Sequence, residues 1–415
     1  QGDRGGRIMK YIEGGVTAAK GYMAASAAAG IKYQNRTDMA MVYSKVPCQV
    51  AGTFTTNIVK AAPVKWDQMV CETSDYAQAV VCNSGIANAC TGEEGMGYCR
   101  ETAKAVSGAL NIPEDAVLVA STGVIGMQLK MDRIAYGVSL LAPALQDTIE
   151  AGHDAAKAIM TTDTLPKEVA VQFNVGDTVV TIGGMCKGSG MIHPNMCTML
   201  GFITTDAAIS KELLTKALKE DVKDTYNMVS VDGDTSTNDT VLLLANGQAG
   251  NTPITEEGEA YEAFKEALHA VNVTLCRKIA GDGEGATALF EVKIVGAATK
   301  EDAVTLSKSV VTSSLVKTAI CGHDANWGRI LCAMGYSGVT FDPEVVDLFF
   351  ESENGRIQIM KDGIDAGFDE ETATKILSAP EVTAIADVKM GECSAVAWGC
   401  DLTHGYIDIN ADYRS

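Results

Sequence analysis

The chain has 415 residues, of which 47% are hydrophobic and 6% aromatic, and 53 acidic side chains against 33 basic ones give a formal net charge of −20. A chain this acidic with no basic run speaks against nucleic acid or an anionic membrane surface as partner. Its length suggests two or three lobes of ordinary size, and 41 Gly with only 9 Pro fit a folded globular protein rich in tight turns.

Taken in chain order, apolar residues recur at three and four over 99–110 and 147–160, which predicts helices there. VAVQFNVGDTVVTIGG then alternates along two arms around a Gly-Asp turn, a hairpin over 169–181. The glycine-rich patch at 183–190 is the best candidate boundary between two lobes. Further helices are predicted at 211–226 and 257–279, and strands at 240–245, 288–295, 345–350 and 394–400. Residues 405–410 are read as closing a terminal hairpin. Irregular alternation of helices and strands, with hairpins, predicts an α+β fold of mixed layers. No apolar run reaches the roughly 18 residues of a membrane span. The N-terminal QGDRGGR lacks the apolar core of a leader and reads as a frayed tail or as residues foreign to the natural chain. A cytoplasmic protein is expected.

Twelve cysteines form no C-x-x-C pair. Several, Cys82, Cys321, Cys332 and Cys400 among them, lie in apolar runs and read as reduced, buried small hydrophobes. Zinc spacing is absent, so no metal is expected. GDGEG (281–285) follows a helical pattern and does not have the spacing of a dinucleotide loop. VDGDTSTND (231–239) opens like a calcium loop, but Thr237 stands where that loop needs Gly and Leu243 where it needs Glu.

KGSGMIHPNMCTML (187–200) combines two glycines, a proline and three methionines with one threonine, Thr198. The five histidines offer it no clear base. His153 and His269 lie on helical patterns, His193 precedes Pro194 in a loop, and a Ser-His-Asp triad has little support. A chain break before Thr198 would supply one, because the new α-amine, with a reference pKa of about 8 against about 10.4 for lysine, is partly neutral near pH 7. The same hydroxyl could make the break by attacking the carbonyl of residue 197 and forming an ester that water opens. Gly188 and Gly190 give the backbone freedom, and Cys197 is small enough not to crowd the attack. On spacing alone, however, an ordinary buried Met-rich turn is the better reading.

Extended to 187–207, KGSGMIHPNMCTMLGFITTDA resembles the self-cleaving segment of the ornithine acetyltransferases, also called glutamate N-acetyltransferases. CNSGIANACTG (82–92), STGVIG (121–126), VDGDTSTNDTVLLLANG (231–247), DANWGRI (324–330) and NADYRS (410–415) resemble that family's signatures in the same order, so the likeness covers essentially the whole chain. It implies a two-chain fold with two lobes and an active site between them. Cleavage would fall between Cys197 and Thr198, giving an α chain of 1–197 and a β chain of 198–415 with Thr198 as N-terminal nucleophile. The family more often carries Ala at the position of Cys197. Thr122 and Gly123 would form the oxyanion hole, and Thr161, Lys187, Thr198, Glu284, Asn410 and Ser415 would hold substrate. Asn83, Asn88, Asp232, Asp239 and Asn326 are better read as ordering loops than as catalysts.

The resemblance implies acetyl transfer from N-acetylornithine to glutamate through an acetyl-Thr198 intermediate in arginine biosynthesis. It involves no metal or cofactor, and acetyl-CoA is left open as a second donor. The partners implied are amino-acid substrates and the chain's own fragments, in a heterotetramer of two αβ pairs. Two rivals stay open: an N-terminal-nucleophile aminopeptidase or amidase, with water as acceptor, and a non-catalytic binding protein with a hinge at 187–200.

Overall fold

The computed structural model describes residues 9–193 and 199–413. The chain divides into two compact units, one built from residues up to Gly188 with 194–227 and 235–275, the other from 189–193, 228–234 and 276 onward. One passage between them falls within the glycine-rich patch, after Gly188.

In the first unit, nine strands among the described residues form one sheet: β1 (Lys10–Ile12), β2 (Tyr22–Ala27), β3 (Met39–Phe54), β4 (Ala77–Ile86), β5 (Val117–Val124), β6 (Lys167–Val175), β7 (Thr178–Lys187), β8 (Leu200–Thr205) and β9 (Thr240–Ala245). The order is β1-β6-β7-β8-β9-β3-β4-β5, with β2 paired to β3. β8 and β9 are buried along their full length, as their unbroken LGFITT and TVLLLA runs require of strands covered on both faces. Helices α1 (Ala62–Thr73) and α2 (Glu94–Leu110) pack on β5, α3 (Met131–Ala144) and α4 (Ile149–Ala158) on β2, and α5 (Lys211–Asp224) on β3. Helix α6 (Glu259–Gly281) runs from this unit into the second.

Within the second unit, β10 (Leu289–Ala297), β11 (Asp347–Ser352), β12 (Gly355–Lys361), β13 (Ile364–Asp365), β14 (Glu381–Asp387) and β15 (Cys393–Cys400) form a sheet in the order β13-β12-β11-β14-β10-β15. Helices α7 (Lys300–Val311), α8 (Ser314–Cys321), α9 (Trp327–Gly335), α10 (Glu370–Leu377) and α11 (His404–Ala411) complete it. The α+β reading therefore holds, and the 169–181 hairpin turns at Gly176 and Asp177 as expected.

Two expectations are corrected. Residues 405–410 do not close a hairpin but lie in α11, whose N-terminus is capped by Thr403, with its hydroxyl accepting from Gly405 N at 3.1 Å. The alternation of Tyr406, Ile407 and Ile409 with polar residues imitates a strand, and the cap decides against it. Cys332 is exposed and Cys321 half-buried, whereas Cys82 and Cys400 are buried. α9 buries Ile330, Ala333 and Met334 on one face, and Cys332 falls on the other.

Asn238 ties the 235–239 loop to the sheet. Its amide nitrogen donates to Ala87 O at 2.7 Å and to Ser121 O at 2.8 Å, both from a buried position. Replacing Asn238 by Ala leaves two buried carbonyls without donors. Urea unfolding is expected to show a loss of about 2–5 kcal/mol; a loss below about 1 kcal/mol would mean that water replaces both bonds.

Candidate active site

In the first unit, β4 and β5 run parallel with Ser84 opposite Thr122 and Gly85 opposite Gly123. Gly123 has φ +133°, and a Cβ there would stand 2.2 Å from the carbonyl carbon of Gly85, so only glycine fits. The Ser121 hydroxyl donates to Asn83 Oδ1 at 2.6 Å, and Asn83 Nδ2 to Ile86 O at 2.9 Å, which fixes the paired ends of the two strands. Lys187, the last residue of β7, is buried, and its Nζ donates to Thr122 Oγ1 at 3.3 Å. A hydroxyl that accepts from an ammonium keeps its own hydrogen for another acceptor.

Beneath this pair lies Asp163, which no sequence reading singled out. Its Oδ2 accepts from Lys167 Nζ at 2.6 Å and from Gly188 N at 2.8 Å, and its Oδ1 from Thr161 N at 3.2 Å. One carboxylate thus fixes the backbone at Thr161 and just after Lys187, two expected substrate residues. Burial penalises its charge, but Lys187, Lys167 and the Gly188 N–H outweigh that penalty and hold its carboxyl below the usual range. The only signal in the sequence is a lysine four places on, and in a non-helical segment that spacing carries no meaning.

The VDGDTSTND loop contributes two more carboxyl groups. In the second unit, Asp232 accepts from Met191 N at 2.7 Å, from Ile192 N at 3.0 Å and from the Tyr406 hydroxyl at 3.0 Å. In the first, Asp239 Oδ1 accepts from Met199 N at 2.6 Å. Asp239 is buried, and among the described residues its Oδ2 has no hydrogen-bond partner. Burial pushes its carboxyl up to about 8, against the lowering effect of the Met199 N–H and Lys187. Both aspartates order backbone, in keeping with the loop-ordering role read from the sequence.

Glu284, in the second unit, is buried; its N–H donates to Ser189 O at 2.9 Å and its Oε2 accepts from Asn410 Nδ2 at 2.5 Å. Two expected substrate residues are thus bonded to each other, and α11 sets the partner, since Asn410 Nδ2 also donates to Tyr406 O at 3.0 Å. A Cβ on Gly190 would stand 2.3 Å from the Glu284 carboxyl, so the glycine is there for close approach. His193 Nδ1 lies 3.0 Å from Ser230 Oγ; burial, then Lys308, lowers its pKa. His153 and His269 sit on helices against Glu168 and Asp221. Cys197, Thr198 and Ser415 lie outside the described residues. Among those described, no group of three or more His, Cys, Asp or Glu is placed to hold a metal ion, and no helix is long and apolar enough to cross a membrane.

Asp163→Asn should leave the buried Lys167 ammonium without its counter-charge. A loss of about 3–5 kcal/mol at pH 7 is expected in denaturant titrations. Because the folded carboxyl sits below its unfolded value, this contribution is present above the unfolded pKa and fades as pH falls through the folded one. The gap between native and variant should therefore narrow on acidification; a constant gap would contradict the assignment.

The ArgJ family profile matches residues 23–415. The arginine biosynthesis bifunctional protein ArgJ of Symbiobacterium thermophilum is 52% identical over 98% of this chain and 100% of its own length. That of Clostridium acetobutylicum, ArgJ 1, is 50% identical over 96% and 97%. The crystal structure of the corresponding protein from Bacillus halodurans aligns with a TM-score of 0.50 at 45% identity, covering 52% of this chain and 99% of that one. The chain belongs to the ArgJ family and is an acetyltransferase enzyme of arginine biosynthesis.

Proposed function

We propose that the protein moves an acetyl group from N-acetylornithine to glutamate through an ester on Thr198, with acetyl-CoA as a second donor. The observation that carries this reading is the family match over residues 23–415, among relatives named as bifunctional proteins of arginine biosynthesis. The precursor cuts itself between Cys197 and Thr198 into an α chain of 1–197 and a β chain of 198–415. Residues 200–205 of the β chain stay paired with β7 of the α chain, from Lys187 against Leu200 to Ile182 against Thr205. A cut there leaves the fragments in one sheet, and two such αβ pairs assemble in the cytoplasm.

In the first half-reaction the Thr198 oxygen bonds to the acetyl carbon, and its proton passes to the α-amine of the same residue. Negative charge gathers on the acetyl oxygen, where the Thr122 hydroxyl and the Gly123 N–H donate. The Lys187–Thr122 bond supports this role, since it leaves the Thr122 hydrogen free to give. Collapse breaks the C–N bond, and ornithine leaves with the proton held by the α-ammonium. The glutamate amine then attacks the ester and reverses the steps, restoring the free hydroxyl. Lys187 suits a substrate carboxylate as a point charge, and Glu284 the cationic amine of ornithine. Thr161, Asn410 and Ser415 complete the set.

Denaturing gels and intact mass should give two fragments from the native sequence, co-eluting under native conditions, and one inactive chain of 43.6 kDa from Thr198→Ala. Scission of that variant at the same bond would remove Thr198 from the role. Initial rates should give parallel double-reciprocal lines, as covalent exchange through one site requires. Acetate release without glutamate would instead favour a hydrolase.

A further inference from the structure

Met199 is held from both sides in a conformation that a long side chain avoids. Its φ is +54°, in the left-handed region. Its N–H donates to Asp239 Oδ1 at 2.6 Å, and its carbonyl accepts from Thr240 N at 2.7 Å. The residue is 3% exposed. The two groups that hold it are adjacent in sequence, and their own frame is fixed. Asp239 O accepts from Thr55 N at 2.9 Å, and Thr240 opens β9 with Leu200 of β8 opposite it. The carboxyl that holds the N–H is buried.

We propose that Asp239 is a positioning residue that locks Met199 in this left-handed conformation and thereby aims the residue before it. The inference rests on the reading of Thr198 as the nucleophile. The Met199 nitrogen belongs to the planar peptide that joins residues 198 and 199, so a bond to its hydrogen sets the plane of that peptide. Once the bond before residue 198 is cut, that residue has one covalent neighbour left, Met199. Its hydroxyl and amine can keep a constant direction only if Met199 does. Left to itself, a methionine drifts out of the left-handed region, and the Asp239 and Thr240 bonds oppose the drift. Stored backbone strain of this kind is common beside reacting groups, and here the residues that hold it are identified.

The test uses the full chain and reads fragment formation, the acetyl-transfer constants and the thermal midpoint together. Asp239→Ala should slow fragment formation more than tenfold and, in the fraction that cuts, lower kcat with KM changed less than threefold. Asp239→Asn keeps an oxygen acceptor for the Met199 N–H and should stay within about threefold of the native rates. Met199→Gly combined with Asp239→Ala should recover at least threefold over Asp239→Ala, because glycine enters the left-handed region without strain. Met199→Val, with Asp239 intact, should imitate Asp239→Ala, since a branched side chain resists that region most, and this variant carries the test if Asp239→Ala does not fold. Native rates in Asp239→Ala or Met199→Val overturn the proposal. So does a loss in Asp239→Ala that follows the thermal midpoint and is not recovered by Met199→Gly, which would make Asp239 a stabilising residue only. Activity in Thr198→Ala would instead remove the nucleophile and leave the clamp without a purpose, so the two failures are distinguishable.

Discussion

Asp163 buried with Lys167 and Lys187 is the constraint from which the arrangement of Thr161, Lys187 and Thr122 in the first unit follows. Two ammonium groups cannot lie buried at strand ends without a counter-charge, and Asp163 is the carboxylate that supplies it. It also accepts from Thr161 N and Gly188 N, so the bonds that neutralise the lysines fix the backbone as well. Lys187 is then free to give a hydrogen bond to Thr122, on the strand whose next residue can only be glycine. A buried charge pair of this kind contributes little net stability, but breaking it is costly, and what it secures is one arrangement of the groups.

The loop at 231–239 secures a second arrangement. Met191 and Met199 stand at either end of the 191–199 stretch, and each has a φ near +54°. Each gives its N–H to an aspartate of the same loop, Met191 to Asp232 and Met199 to Asp239. Among the described residues, neither aspartate has a cationic hydrogen-bond partner. Their work is done on backbone, where strained residues need an acceptor in a fixed place.

Much of the fold is legible in the sequence because periodicity reports burial directly. The unbroken apolar run of β9 has the predicted limits, 240–245, and the 169–181 hairpin is marked by its Gly-Asp turn. Residues 405–410 mislead because two isoleucines alternate with polar neighbours, while one threonine hydroxyl at position 403 starts a helix instead. The site is less legible. Thr122, Gly123, Lys187, Glu284 and Asn410 enter through resemblance, not through spacing. Asp163 escapes because its three partners are assembled by tertiary packing, and no short-range pattern marks them. Gly190 reads as backbone freedom but is required by the approach of Glu284. Asp239 reads as a loop residue, which it is, and only the burial of its carboxyl and the φ of Met199 show what the loop holds.

In the proposed reaction one threonine carries the acetyl group between two amino acids. Its most direct test is to mix the mature protein with N-acetylornithine in the absence of glutamate, quench with acid, and map the peptides by mass. The account predicts one acetyl group, on the hydroxyl of the peptide that begins with Thr198, and its disappearance when glutamate is added before the quench. An acetyl group on another residue, or rapid transfer to glutamate with no acetylated peptide at any time, would contradict it.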